Sequence, residues 1–160
     1  MNASFPEEKE LHAARILIVD DEDICIRCLE WALRKADFLN FRSLTDATLA
    51  REAFLKFQPD LVLLDLNMPI LDGFGLLAQL RAGETAGDFV PVLILTGEST
   101  SDMRSRALAA GASDFLDKPV DYSVLILRIK NALRTRYLCR QNHELRARIE
   151  SLTANLQANA

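Results

Sequence analysis

The sequence predicts an α/β protein, a doubly wound five-stranded parallel sheet with an extended C-terminal helix. Three observations lead there. Short apolar runs alternate five times with segments of helical periodicity. The run Leu61-Val62-Leu63-Leu64 shows no in–out alternation, so it reads as a strand buried on both faces, as parallel sheets require. Several runs also end in polar residues or breakers: Asp20-Asp21, Asp65 ahead of Pro69 and Gly73, Thr96-Gly97, and Lys118-Pro119.

In chain order, residues 1–14 form a polar leader with only Phe5 and Leu11 to pack. Residues 15–19, rich in β-branched side chains, make the first strand and end in Asp20-Asp21-Glu22-Asp23. Residues 24–35 carry Cys25, Cys28, Leu29, Ala32 and Leu33 at helical spacing, with acids in the first turn where the helix dipole favours them. Residues 39–43 make a weaker strand. Thr45 or Asp46 then caps a helix through Phe57 whose inner side holds Ala47, Ala50, Phe54 and Phe57, and Pro59 ends it. The strand that ends at Asp65 comes next, followed by a helix from Gly73 to about Arg81 and a polar loop at 83–88. A fourth strand over 91–95 ends in Thr96-Gly97. A helix over 101–110 has Gly111 placed as its C′ residue. A short strand over 113–116 precedes Asp117-Lys118-Pro119, and a helix from about Asp121 then meets no breaker before Ala160. Right-handed crossovers reduce the topologies to few, and the strand order 2-1-3-4-5, the flavodoxin-like arrangement, is the common one.

Composition supports a packed body. With 49% hydrophobic residues in 160, the chain can bury a core and is not of disordered type. No apolar run approaches a membrane span, and the first residues lack the apolar stretch of a signal peptide. A cytoplasmic location with reduced thiols is therefore expected. The net charge of −4 divides into +5 from residue 128 onward and −9 before it. A basic tail can mark nucleic-acid binding, but this one lacks interleaved aromatics apart from Tyr137. It reads instead as a solvated helix face, so neither a nucleic acid nor a membrane is expected as a partner.

The predicted sheet brings Asp20, Asp21, Asp65, Thr96 and Lys118 to one edge. Clustered carboxylates raise one another's pKa unless a cation sits among them, and Mg²⁺ takes one or two carboxylates with water and a phosphate oxygen. Lys118 supplies a positive charge and Thr96 a hydroxyl donor, both suited to a phosphoryl group on a carboxylate.

The set Val19-Asp20-Asp21-Glu22, Leu64-Asp65-Leu66-Asn67-Met68-Pro69 with Asp72-Gly73, Leu95-Thr96-Gly97, Gly111-Ala112 and Lys118-Pro119 resembles the receiver domains of two-component response regulators, over residues 13–135 or so. The resemblance implies that Asp65 accepts a phosphoryl group from a phosphohistidine on a sensor kinase or phosphotransfer protein. It implies Mg²⁺ held by Asp21, Asp65 and the backbone carbonyl of Asn67, with Asp20 binding through water or orienting the ion. Lys118 would contact phosphoryl oxygens, with a cis bond to Pro119. Thr96 and Phe115 would be the switch pair, and Asn67 and Glu98 would tune phosphoryl lifetime. The chain would then be a signalling receiver that assists only its own phosphorylation and dephosphorylation. A haloacid-dehalogenase-like aspartyl phosphatase is the alternative, with its nucleophile on the first strand. In that reading Asp21-Glu22-Asp23 supplies the paired acids, and the expected Gly-Thr or Gly-Val after them is missing.

Two further features complete the expectation. Cys25 and Cys28 match half a metal or redox motif, yet no second pair exists. They are read as small buried hydrophobes on the sheet-facing stripe of the first helix. In the last helix, Val124, Leu125, Leu127, Ile129 and Leu133 are expected against the sheet. Beyond them Leu138, Leu145, Ile149, Leu152 and Leu156 form a heptad seam with Asn142 at a core position. The expected organisation is thus a leader over 1–14, a receiver over 15–135, and a coiled-coil stalk over 136–160 joining two copies in parallel. Such stalks join receivers of this family to output domains.

Overall fold

A computed structural model describes residues 6–82, 84, 89–97 and 100–158. Strands β1 (Ile16–Val19), β2 (Phe41–Leu44), β3 (Leu61–Asp65), β4 (Val92–Thr96) and β5 (Asp114–Asp117) form one all-parallel sheet in the order β2-β1-β3-β4-β5. Between them run α2 (Asp23–Lys35), a 3₁₀ turn (Ala47–Leu49) leading into α3 (Ala50–Phe57), α4 (Gly73–Arg81) and α5 (Ser101–Ala109). A short α1 (Glu8–His12) precedes the sheet, and the 37-residue α6 (Tyr122–Ala158) follows it. The fold and strand order are those expected from sequence.

Alternation along the central strands explains the two layers of helices. Leu17, Val19, Val62, Leu64 and Ile94 face one core with Ala50, Ala53, Leu76, Leu77 and Ala107 from α3, α4 and α5. Ile16, Ile18, Leu61, Leu63, Leu93 and Leu95 face the other, against Ile26, Leu29 and Leu33 of α2 and Leu125, Ile129 and Leu133 of α6. All five residues of β3 and of β4 are buried, as strands covered on both faces must be. Caps fix the helix starts that border the acidic edge. The Asp72 carboxylate accepts from Gly75 N at 2.7 Å, and the Thr100 hydroxyl oxygen accepts from Met103 N at 3.2 Å. Gly111, at φ +98°, takes the left-handed position after α5 that its sequence placement called for. There Arg81 reaches across to donate to the Gly111 carbonyl at 2.7 Å, and to that of Val90 at 2.8 Å.

Several sequence expectations need correction. The phase of α2 is set by Ile26, Leu29 and Leu33, so Cys25 is only half-buried and Cys28 is exposed, not sheet-facing. Larger side chains gain more from burial than thiols, and they take the inner stripe. Val124 and Leu127 of α6 are exposed, because Leu125, Ile129 and Leu133 define its inner face. The leader is a docked element: Pro6, Leu11 and Ala14 are buried, and Glu8 pairs with Lys130 at 2.8 Å and Arg134 at 3.6 Å. The body's contacts with α6 also run past residue 135. Arg136 pairs with Asp60 at 3.3 Å and donates to the Phe89 carbonyl. Beyond this, Leu145, Ile149 and Leu152 stand in solvent.

Candidate functional site

Among the described residues, the buried polar or charged side chains are Asp20, Asp65 and Thr96, all at the carboxyl edge of the sheet. The strand order puts β1, β3, β4 and β5 side by side there, at the switch point where open α/β sheets bind ligands. Asp20 and Asp21 follow β1, Asp65 ends β3, Thr96 ends β4, and Lys118 follows β5.

Lys118 organises the cluster. Its Nζ donates to Asp20 Oδ2 at 2.7 Å and lies 3.5 Å from Asp65 Oδ1, an ion-pair distance without a hydrogen bond. A cis bond to Pro119 follows Lys118, and the Lys118 N–H donates to the Thr96 carbonyl at 2.8 Å, tying β5 to β4 at the site. Asp20 is fully engaged, because its Oδ1 accepts from the Glu22 N–H at 2.9 Å. By contrast, Asp21 Oδ1 and Asp65 Oδ1 are buried atoms without a hydrogen-bond partner. Buried oxygens left this way cost free energy unless something else satisfies them.

Burial raises the Asp65 carboxyl to a pKa of about 6; the nearby Lys118 charge lowers it, and Asp20 raises it further. For Lys118, burial pulls the ammonium down, but the hydrogen bond and charge of Asp20, with the charge of Asp65, outweigh it and leave the pKa above the ordinary lysine value. The lysine is therefore a fixed positive charge at neutral pH.

A metal ion fits this donor set. One carboxylate oxygen from each of Asp20, Asp21 and Asp65 lies within 4.8 Å of the others, and two of these residues carry the unsatisfied atoms. Hard oxygen donors of high negative charge suit a divalent cation of the Mg²⁺ or Ca²⁺ kind.

The other expected site residues lie around the cluster. Thr96 is wholly buried. Phe115 is half-buried, with the Arg104 guanidinium 5.4 Å from its ring centroid, and Arg104 is also paired with Asp117. Asn67 is exposed, and its backbone N–H serves the Asp65 carboxylate. Glu98 lies outside the described residues. Sequence reading missed two neighbours. The Cys25 thiol donates to Glu22 at 3.4 Å and is pushed up to about 11 by burial and then by the Asp20 charge, which leaves it a protonated, unreactive group. Ile70 is 94% exposed and holds φ +71°, a rare conformation for a β-branched residue. No pattern in sequence marks either role.

The carboxylate trio and the lysine at the switch point of this doubly wound sheet make an acidic site that could hold a metal ion. More specifically, the chain belongs to the response regulator receiver domain family, whose model matches residues 16–130. It is 38% identical over 122 residues to the transcriptional regulatory protein PrrA of Mycobacterium leprae, covering 76% of this chain and 51% of that protein. It is 35% identical over 122 residues to the response regulator PleD of Caulobacter vibrioides, covering 76% of this chain and 26% of that one. The chain therefore spans about half or less of the length of these curated relatives. Among solved structures it resembles the BeF3-activated N-terminal receiver domain of Klebsiella pneumoniae RstA, with TM-score 0.68, 29% identity, and coverage of 75% of this chain and 98% of that one. Vibrio cholerae chemotaxis protein CheY4 gives TM-score 0.68 and 25% identity, again over 75% of this chain and 98% of that one. The dehalogenase-like alternative gains no support from these relatives.

Proposed function

We propose that this receiver takes a phosphoryl group onto Asp65 from a phosphohistidine of a sensor histidine kinase or phosphotransfer protein. The observation that carries the reading is the Asp65 carboxylate itself: buried, raised in pKa, 3.5 Å from a fixed lysine charge, with Oδ1 lacking a hydrogen-bond partner. In the transfer a carboxylate oxygen forms a bond to phosphorus as the phosphorus–nitrogen bond breaks. The electron pair leaves with the imidazole, which takes up a proton. Asp20, Asp21, Asp65 and the carbonyl of Asn67 would hold Mg²⁺, and the ion neutralises charge on the phosphoryl oxygens when bound. Lys118 offsets the same charge from the β5 side. Thr96 and Phe115 serve as the switch: the hydroxyl turns to the phosphoryl group and the ring fills the space it leaves, a two-state response to a local charge. Asn67 and Glu98 set how readily water reaches the acyl phosphate. The protein acts as a cytoplasmic signalling element, not as an enzyme on a separate substrate, and contacts neither nucleic acid nor membrane directly. Among the described residues no helix is long and apolar enough to cross a membrane.

Incubation with acetyl phosphate and Mg²⁺ followed by mapping of the labelled peptide tests this reading. Label is expected on Asp65, absent in Asp65→Asn and absent with a chelator; label on Asp20 or Asp21 refutes it.

The exposed seam of α6 further supports a parallel homodimer through the stalk, with Leu145, Ile149 and Leu152 as the buried rungs. Ile149→Glu is expected to convert a dimer, read by sedimentation equilibrium, to a monomer without lowering the thermal midpoint of the receiver by more than a few degrees. A wild-type chain that stays monomeric across the concentration range removes the stalk reading.

A further inference from the structure

Two separate grips hold α6 where it leaves the body. Arg136 makes the first. Its Nε lies 3.3 Å from Asp60 Oδ1, and its guanidinium also donates to the Phe89 carbonyl. The helix is thereby fastened to the amino ends of β3 and β4, the edge of the sheet opposite Asp65. Asp60 accepts in turn from the Arg15 N–H at 2.9 Å, which builds the anchor into the start of β1. The N-terminal helix α1 makes the second grip. Glu8 lies 2.8 Å from Lys130 and 3.6 Å from Arg134, one turn apart on α6, and 3.3 Å from His12 of its own helix. Leu11 and Ala14 complete this grip by entering the core cluster that holds Ile129, Leu133 and Phe38.

We propose that α1 is a releasable strap: docked, it fixes the angle at which α6 leaves the receiver, and released, it lets α6 swing on the Arg136 anchor. Three observations carry this. The first is direction. At about 100° per residue, Arg136 projects with Ile129 toward the sheet, whereas Lys130 and Arg134 project on a flank, roughly a third of the way round the helix or more. Arg136 therefore resists lifting of α6 from the sheet, and α1 resists sideways swing. The second is room. A groove of about 370 Å³ lies between Pro6 and Glu10 on the α1 side and Tyr137, Arg140 and Glu144 of the outgoing helix, space for a lateral movement. The third is the unequal hold of the two grips. Arg136 and Asp60 are 12% and 19% exposed, so salt screens their pair little. Five residues make no stable helix alone, and Glu8 is 55% exposed, so its pairs with α6 weaken as salt rises. The strap lies at the far edge from Asp65 and requires neither its phosphorylation nor any pairing of stalks.

The test uses the full chain with Cys25→Ala, Cys28→Ala and Cys139→Ala, carrying spin labels at Arg51→Cys on α3 and Glu150→Cys on the stalk, both exposed positions. Dilution into excess unlabelled chain restricts the reading to distances within one molecule. Pulsed electron resonance is expected to give a narrow distance distribution at about 0.01 M salt. At about 1 M, where the Debye length is about 3 Å, it should be at least about twofold broader. Glu8→Lys, an exposed change that sets a third cation beside Lys130 and Arg134, should give the broad distribution at both salt concentrations and leave the thermal midpoint of the body within a few degrees of its original value. Leu11→Ala, which removes the apolar part of the grip, should broaden it as well. Either variant staying narrow overturns the strap, as does a distribution that is broad at low salt, or indifferent to salt, in the chain with Glu8 and Leu11 intact. Broadening in Glu8→Lys that comes only with a large fall in the midpoint also overturns it, since α1 would then be ordinary core.

Discussion

Gly73→Ala is expected to destabilise the receiver by about 3 kcal/mol and to slow phosphorylation of Asp65 more than tenfold. A Cβ at this position would lie 2.4 Å from the Asp65 carbonyl oxygen, 2.6 Å from Leu66 Cα and 2.9 Å from Leu66 Cδ2. Two of those atoms are backbone, held in place by the Gly73 N–H donating to the Leu66 carbonyl at 3.0 Å. Neither can swing aside as a side chain end would. Alanine has the better helix propensity by about 1 kcal/mol, but at the first residue of α4 that gain is small beside a backbone clash. The strand end must therefore move, carrying the Asp65 carboxylate away from Lys118. A displacement of about 1 Å is enough to cost a large factor in a reaction that depends on positioning. Gly97→Ala is the control: its added Cβ meets nothing within 4 Å, so both stability and phosphorylation rate are expected to stay near wild type. Thermal melts and acetyl phosphate labelling of the two variants decide the matter. Equal effects at the two glycines would show that close approach at the β3 end is not what Gly73 provides.

The contrast between these glycines illustrates what sequence alone discloses. Asp20, Asp65, Thr96 and Lys118 were legible because strand ends are marked by composition, and a parallel sheet leaves little choice about which ends meet. Gly73 was legible only as a breaker, since the atoms that exclude a methyl group come from β3 and are brought there by the fold. The docking of α1 was less accessible still. A five-residue helix has no stability of its own, and what orders it is Leu11 burial with ion pairs to Lys130 and Arg134, more than a hundred positions away. The misplaced thiols on α2 have another cause. Counting Cys25 and Cys28 as apolar shifted the helix phase, whereas the bulk of Ile26, Leu29 and Leu33 decides which stripe is buried. Apolar character alone predicts Val124 and Leu127 inward, but apolar residues are common on surfaces and the rule runs only one way. Their exposure is information that only the folded helix provides.

Asp65→Asn is expected to make the metal-free protein more stable than wild type at pH 7, by roughly 3 kcal/mol. The sign follows from the direction of the Asp65 shift, from 3.8 up to about 6. Between those values the native state holds a proton that the unfolded chain has released, so this residue's contribution to stability falls as pH rises through the window. Below about pH 3 both states are protonated and the penalty is absent; above about pH 7 the native state carries a buried carboxylate in full. Lys118 offsets part of that cost and is also engaged by Asp20, while Asp20 adds repulsion. Asparagine keeps the shape and removes the charge. The stability difference between variant and wild type, measured by denaturant titration in chelator, should therefore be largest at pH 7 and above and vanish below about pH 3, with titrations common to both proteins cancelling. Saturating Mg²⁺ should reverse the order, because an ion bound to the native state stabilises it in proportion to the logarithm of its excess over Kd, and the variant has lost one of its three carboxylates. A variant no more stable than wild type without metal, or a difference unaffected by pH, would mean that the Asp65 charge is already compensated.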